Sequence, residues 1–286
     1  MSKITSCLAS ALLLTSVNTV MAQSLPASQP NFLQIYREEV KLGHSTDHAK
    51  VEAGWPAAFE KAKSPYTYIA LASLTGPQEV WFVSPFESQQ AMADSMASEE
   101  EPGLAATLEK LTKADAEHLS GARGILARAR KDLSHGAYPD TASQRFYQIT
   151  VWRIRPGRET SFDDVAKAYG AAMGRTAPNA SFRVYQVMAG MPSPTYLVFT
   201  SVTSYGAFDK MLSENGAAMK AATAEERATM EKFSTDALVS TDTIRLRLDP
   251  AMSYVPKEVR AADPAFWSPK PAAAAAKPAP KAEVKK

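Results

Sequence analysis

Segments in which apolar and polar residues alternate recur along this chain, interspersed with segments that have helical spacing. The clearest lies between Phe146 and Arg155, where Tyr147, Ile149 and Val151 share one face. A period of two residues is typical of a β-strand. Because the opposite face also carries apolar side chains, we predict a strand that is partly covered on both sides.

The second half of the chain then follows the order helix, strand, strand, helical region, strand. A helix begins after the cap candidates Thr160 and Ser161 and runs to Ala172. We expect the long helical region to break near Asn215 and Gly216, because both are poor helix formers. The later predicted segments are Ser181–Ala189, Thr195–Ser201, Tyr205–Phe233 and Thr243–Leu248.

The first half of the chain repeats this pattern at an offset of about 114 residues. The segment 32–35 (Phe-Leu-Gln-Ile) recurs as 146–149 (Phe-Tyr-Gln-Ile), and 40–43 recurs as 154–157. A fixed offset held over this length indicates a duplicated structural unit. Ile125–Arg130 could form a helix by itself, but the repeat favours a strand. The predicted elements of the first copy are Phe32–Val40, Thr46–Lys61, Tyr66–Leu74, Glu79–Ser84, Ser88–Leu119 and Ile125–Arg130.

The ends of the chain differ in composition from the repeats. One lysine, a short apolar run and a small-residue site before Gln23 are typical of a secretory signal peptide, which predicts a periplasmic or secreted protein. The single cysteine, Cys7, lies within that segment. The predicted divisions are 1–22 signal peptide, 23–31 linker, 32–138 first repeat, 139–144 linker, 145–256 second repeat and 257–286 disordered Ala/Pro/Lys-rich tail.

The net charge of the chain and its distribution limit the kinds of partner that the protein is expected to bind. The formal net charge of the whole chain is only +2. The repeats show no basic stripe interleaved with aromatic residues, so we expect no nucleic-acid partner. No segment is long and apolar enough to predict a transmembrane helix. The lysine-rich tail either keeps the protein soluble or attracts it to an anionic envelope surface.

The order strand, helix, strand, strand, helix, strand is the ferredoxin-like βαββαβ plan of an α+β fold. With its strand–Lys/Arg–x–Gly–helix opening at 40–43 and 154–157, the chain resembles the dimeric α/β-barrel superfamily. That group includes antibiotic-biosynthesis monooxygenases and NIPSNAP-like proteins, and the chain looks most similar to exported bacterial members of unassigned activity. The resemblance implies two tandem repeats packed sheet to sheet as an internal, pseudo-dimeric barrel. We expect Phe32, Gln34 and Tyr36 to lie on the face where the sheets meet.

Few residues are candidates for a binding site. His44, His48 and Glu52 follow one another at intervals of four residues, and a His/His/Glu set on one helix face suits Zn, Fe or Mn. The glycine and cap candidates after the first strand place His44 before the helix, however, which leaves only His48 and Glu52 on one face. Two ligands do not complete a metal site, so we predict no metal and no cofactor, and expect His48 to be a solvated residue in the first turn. In the superfamily, ligand pockets lie between sheet and helices, and haem-handling members use a histidine there. His48 is the matching candidate.

Three further residues complete the predicted ligand-binding set of Gln34, His48, Glu52, Trp55 and Gln148. Trp55, which matches Tyr169 of the second copy, is more typical of a core. Gln34 and Gln148 place an amide inside an apolar strand of each copy. A buried amide needs a hydrogen bond. Either the two satisfy each other or a backbone group across the sheet interface, or they line a cavity and orient a ligand.

The sequence therefore leaves two functions open, and whether the protein is an enzyme is uncertain. The favoured one is a non-catalytic exported protein that binds a small apolar ligand or a partner protein. The alternative is a cofactor-independent monooxygenase-like or haem-handling enzyme with its pocket in the first repeat. Gly-x-Ser-x-Gly and phosphate-binding glycine motifs are absent from the sequence, so no catalytic residue is assigned.

Overall fold

The structure, a computed structural model, describes residues 25–268. The predicted signal peptide at 1–22 and residues 269–286 of the predicted tail lie outside the described residues. No helix within residues 25–268 is long and apolar enough to cross a membrane.

Each repeat contributes four strands to one sheet, and the predicted βαββαβ order is confirmed. The segment for which helix and strand were both open is a strand in the structure, as the repeat favoured. The strands are β1 Phe32–Val40, β2 Tyr68–Ser73, β3 Glu79–Phe86, β4 Leu119–Ala129, β5 Phe146–Ile154, β6 Arg183–Ala189, β7 Thr195–Val202 and β8 Leu238–Tyr254.

The eight strands form a closed antiparallel barrel in the order β1-β3-β2-β8-β5-β7-β6-β4. Each repeat alone has the ferredoxin-like order, and two seams between the repeats close the ring. At one seam β2 pairs with β8, with Leu71 opposite Leu248. At the other, β4 pairs with β6, with Ala127 opposite Val187. The predicted internal barrel is therefore confirmed, with the two sheets joined by hydrogen bonds along both edges.

Alternate side chains of both repeats fill the barrel interior. Leu33 and Ile35 of β1 and Tyr147 and Ile149 of β5 belong to this interior core. The prediction that Phe32, Gln34 and Tyr36 lie between the sheets is wrong, because the alternate residues Leu33 and Ile35 face the interior instead. Phe32, Gln34 and Tyr36 lie on the outer face, because a sheet covered by helices is apolar on both faces and the period of two does not say which face is inside.

The helices pack on the outer face of the barrel. Three predicted helical regions are each divided in two: Thr46–Lys61 into α1 and α2, Ser88–Leu119 into α3 and α4, and Tyr205–Phe233 into α6 and α7. The predicted break at Asn215 and Gly216 is wrong, because α6 continues through both. The chain instead breaks at Thr223, whose side chain forms a capping box with Glu226 at the start of α7. The helices are α1 Ser45–Glu52, α2 Gly54–Ala62, α3 Gln89–Glu99, α4 Pro102–Asp115, α5 Glu159–Thr176, α6 Ala207–Ala221, α7 Ala224–Asp236, α8 Lys257–Ala262 and α9 Pro264–Trp267.

The prediction that the chain is disordered from residue 257 onward is wrong for the first residues of that segment. Residues 257–268 form α8 and α9 rather than a disordered segment. Trp267 is 4% exposed and packs against the barrel core. Its Nε1 donates a hydrogen bond of 3.2 Å to the carbonyl of Ala142, and Arg145 forms an ion pair with Asp263. The last described residues thus cover one end of the barrel near the connection between the repeats.

We expect Trp267→Ala to lower the free energy of unfolding by about 3 kcal/mol, because it removes a large buried side chain. Truncation after Ser268 is the control, since it keeps every described residue, and we expect it to change stability by less than about 0.5 kcal/mol. Urea unfolding followed by circular dichroism measures both. Equal stability of the substituted and wild-type chains would show that α9 does not dock on the barrel.

Candidate functional site

Four buried ionisable side chains meet in the first repeat, between the outer face of β1 and the helices α1 and α4. They are Glu38 of β1, His48 and Glu52 of α1, and Asp115, the last residue of α4. We call them the acidic–histidine cluster. Their exposed fractions are 6%, 1%, 4% and 3% in that order. The expectation that His48 is solvated is therefore wrong.

The local chain geometry explains why His48 is aimed inward. Gly43 has a φ of 83°, which permits the tight turn between β1 and α1. His44 precedes the first turn of α1, and its carbonyl accepts a 2.9 Å hydrogen bond from the backbone N–H of His48. His48 and Glu52 then lie one helical turn apart on the face that packs against the barrel. The prediction that His44 stands before the helix is confirmed.

The imidazole of His48 is held on one side only. Its Nδ1 lies 2.7 Å from Oδ1 of Asp115. Its Nε2 lies 3.7 Å from Oε2 of Glu38, beyond hydrogen-bond distance, and neither of these two atoms has a hydrogen-bond partner among the described residues. Because a buried polar atom without a partner costs free energy, these two atoms need a further group between them.

Crowding of carboxyl groups changes their acidity. Burial, and next the charge of Asp115, raises the pKa of Glu38 to about 8. Burial, then the charges of Glu38 and Asp115, raises the pKa of Glu52 to about 9. The nearby indole of Trp55 offsets part of the rise for Glu52. Among residues 25–268, no lysine or arginine forms a salt bridge with these carboxylates. Without a cation, Glu38 and Glu52 therefore hold protons at neutral pH.

The second repeat holds a large cavity at the corresponding place, between the outer face of the sheet and α5, α6 and α7. Its volume is about 770 Å³, within the usual range for ligand sites. We call it the second-repeat cavity. Most of its wall is apolar, and one lining residue, Phe162, stacks on Tyr196 with ring centroids 3.9 Å apart. The apolar wall includes Trp152, Phe162, Val165, Ala166, Met173, Phe182, Val184, Val198, Met211, Met219, Met230 and Phe233.

Fourteen residues with polar side chains also line this cavity. Gln148 is one of them, and its Oε1 accepts a 3.3 Å hydrogen bond from Nε of Arg245. The hydroxyl of Tyr169 donates a 2.7 Å hydrogen bond to Oδ1 of Asn215. Polar groups set in a mainly apolar wall can orient a bound molecule. Of the two arrangements left open for Gln148, the structure shows the one that lines a cavity.

The cluster and the cavity occupy equivalent positions of the two repeats. At the repeat offset of about 114 residues, Glu38 corresponds to Trp152, His48 to Phe162 and Glu52 to Ala166. All three residues of the second repeat line the cavity. The same backbone positions are therefore ionisable in one repeat and apolar in the other.

The structure places the five residues predicted as ligand-binding in four locations. His48 and Glu52 belong to the acidic–histidine cluster, and Gln148 lines the second-repeat cavity. Trp55 packs against Phe59 beside the cluster. Gln34 lies half-buried on the outer face of β1, outside both sites, so it does not meet Gln148 across the interior.

Sequence reasoning missed Glu38 and Asp115. Glu38 could have been identified from the sequence. It shares a strand face with Gln34 and Val40, and a carboxylate on a strand that is covered on both sides is expected to be buried. Asp115 carries no such signal, because it is 67 residues from His48 and meets it only in the folded chain.

The sequence matches no family model and no curated protein. A candidate monooxygenase from Fusobacterium nucleatum subsp. nucleatum has a similar structure, with a TM-score of 0.51 at 10% identity over 77% of this chain and 92% of its own. A candidate monooxygenase from Lactobacillus acidophilus NCFM gives 0.48 at 8% identity over 76% and 93%. A mutant chlorite dismutase from Candidatus Nitrospira defluvii gives 0.46 at 7% identity over 82% and 96%. The Fusobacterium likeness agrees with the fold described above, a barrel of two ferredoxin-like repeats, and shows nothing finer.

We expect Glu52→Gln to change how stability depends on pH. Burial raises the pKa of Glu52 from 4.5 to about 9, so the native state keeps a proton that the unfolded chain loses. The resulting stabilisation is complete below pH 4.5 and is lost as the pH rises to about 9. Glutamine stays neutral at every pH. Between pH 5 and pH 8.5, the free energy of unfolding of the substituted protein should therefore rise by at least about 1 kcal/mol relative to that of wild type.

Urea titrations of chelator-treated protein at several pH values measure this difference. The titratable groups that face Glu52 are Glu38, His48, Asp115 and Tyr68, and they are unchanged in the variant. Glu109→Gln is the control, since the side chain of Glu109 is 65% exposed on α4. A stability difference for Glu52→Gln that stays constant with pH would contradict the raised pKa.

Proposed function

We propose that this protein is an exported binding protein that takes up a small, mainly apolar molecule in the second-repeat cavity. The observation that carries the proposal is the cavity itself, about 770 Å³ of space lined mainly by aromatic and aliphatic side chains together with polar groups. Burial of an apolar molecule there would be favoured by about 25 cal/mol for each Å² removed from water. The signal-like segment 1–22 supports export.

The chemistry of the wall defines the class of ligand. Aromatic faces at Trp152 and Phe162 suit a flat ring system, and four methionines, at 173, 211, 219 and 230, can adapt to its outline. The amide of Gln148 can donate a hydrogen bond to an oxygen on the ligand, since its Oε1 already accepts from Arg245. We therefore favour an aromatic molecule that carries one or two oxygen atoms.

Haem does not fit the residues of this cavity. Its described lining contains no histidine and no cysteine, the axial ligands of globins, peroxidases and P450s, and the hydroxyl of its Tyr169 is already bonded to Asn215. In the first repeat, His48 is 1% exposed and packs between Asp115 and Glu38, which leaves no open space for a haem beside its imidazole. The haem-handling alternative therefore has no support in the described residues.

A cofactor-independent oxygenase is the second candidate, and it would use the same cavity. Such chemistry requires an apolar pocket with a few polar groups, which the second repeat has. The pocket would then lie in the second repeat rather than the first. Binding and oxidation are separated by one measurement, the consumption of dissolved oxygen when the protein is mixed with a phenolic compound that it binds.

We expect 1-naphthol to bind with micromolar affinity and to quench the fluorescence of Trp152. Ala166→Phe should weaken binding at least tenfold, because the added ring occupies the cavity. Ala171→Phe is the matched control, since Ala171 is exposed on the same helix, and it should bind as wild type does. Calorimetry with 1-naphthol measures all three proteins, and glucose serves as a polar comparison. Absence of binding to wild type, or equal binding by both variants, would contradict the proposal.

A further inference from the structure

We propose that the acidic–histidine cluster is a binding site for one divalent first-row transition-metal ion. Nε2 of His48 and the carboxylates of Glu38 and Glu52 would be its ligands. Asp115 would be a positioning residue that holds the imidazole through Nδ1. This site lies in the first repeat and is independent of the ligand proposed for the second.

The first argument is the distance between the candidate ligand atoms. One atom from each of the four residues can be chosen so that all lie within 4.8 Å of one another. Ligands bonded to one ion at about 2.1 Å lie roughly 3 to 4.2 Å apart, depending on the coordination geometry. The 3.7 Å between Nε2 of His48 and Oε2 of Glu38 lies within this range, although it is too long for a hydrogen bond.

The second argument is the pair of atoms without partners. Nε2 of His48 and Oε2 of Glu38 are buried 3.7 Å apart, and neither has a hydrogen-bond partner among the described residues. A direct contact would satisfy both only with a proton between them and a shorter distance. An ion that accepts an electron pair from each satisfies both at the observed separation.

The third argument is the tautomer of the imidazole. Asp115 lies 2.7 Å from Nδ1, so a neutral His48 places its proton there and leaves the lone pair on Nε2 free. A histidine that donates one N–H to a carboxylate and binds a metal through the other nitrogen is a recurring arrangement in metal sites. His48 and Glu52 also lie four residues apart on one helix face, so both side chains reach the same point.

The donor set indicates the class of ion. One imidazole and two carboxylates suit Zn²⁺, Mn²⁺ or Fe²⁺ better than Ca²⁺ or Mg²⁺, which prefer oxygen ligands alone. The charge of the cluster also suits a metal cation, because no lysine or arginine among residues 25–268 forms an ion pair with these carboxylates. The second repeat provides an internal contrast, since Trp152, Phe162 and Ala166 at the equivalent positions cannot bind a metal.

Calorimetry of the full chain after chelator treatment tests the proposal with Zn²⁺ and with Mn²⁺. We expect one ion per chain with submicromolar affinity for at least one of them. Glu52→Gln removes a ligand and should weaken binding at least 100-fold. Asp115→Asn removes the positioning contact and should weaken it 10- to 100-fold. Near-ultraviolet circular dichroism of each variant checks that the fold is kept.

A surface histidine pair requires its own control. Nδ1 of His44 lies 3.0 Å from Nδ1 of His118, one turn from the cluster, and could bind metal at the surface. We expect His44→Gln to bind as wild type does. Loss of binding in His44→Gln together with full binding in Glu52→Gln would overturn the proposal, and so would the absence of saturable binding to wild type.

A spectroscopic measurement on the wild-type chain avoids dependence on the variants. In nitrogen-15 correlation spectra of labelled histidines, Zn²⁺ should shift Nε2 of His48 and leave its Nδ1 bound to hydrogen. An unchanged Nε2 signal at saturating Zn²⁺ would show that His48 is not a ligand.

Discussion

The structure depends on the hydrogen-bonded closure of the barrel along its two seams, β2 with β8 and β4 with β6. Either repeat alone would leave two exposed strand edges and an apolar sheet face, both of which promote association. In the closed ring every strand has two neighbours, and the inner faces of both repeats form one core. The duplication is therefore what allows a single chain to complete this fold.

Closure also sets where function can reside. The interior is filled by side chains, so the larger space remains between the outer face of the sheet and the helices. The two repeats use that space differently. The first fills it with buried ionisable groups around His48, and the second leaves a cavity of about 770 Å³ that is lined in part by Phe162, the residue equivalent to His48. A shared backbone thus carries one site suited to a cation and one suited to an apolar molecule.

The element order and the barrel could be predicted from the sequence, because alternation, helical spacing and the repeat offset agree over most of the chain. The orientation of β1 could not, because Leu33 inside and Phe32 outside are both apolar in a sheet covered on both faces. The end of the fold was also misplaced. Composition becomes simple only near residue 269, but whether the preceding helices dock depends on contacts such as that of Trp267 with Ala142.

The candidate site was predicted only in part, for a physical reason. His48 and Glu52 share a helix turn, so their proximity follows from local spacing. Glu38 and Asp115 reach them through the pairing of β1 with β4 and the packing of α4, contacts that a sequence without its fold does not specify. The enclosed environment that raises the pKa of Glu52 has the same tertiary origin.

Native-state hydrogen exchange tests the central claim, that the two repeats form one cooperative barrel closed along both seams. Amides of β2 and β8 at one seam, and of β4 and β6 at the other, should exchange only through global unfolding. Their opening free energy should equal that of the central strands β1 and β5. The contrary result would be seam amides with a much lower opening free energy than the amides of the strands within each repeat. It would show that the repeats are separate units and would contradict the account.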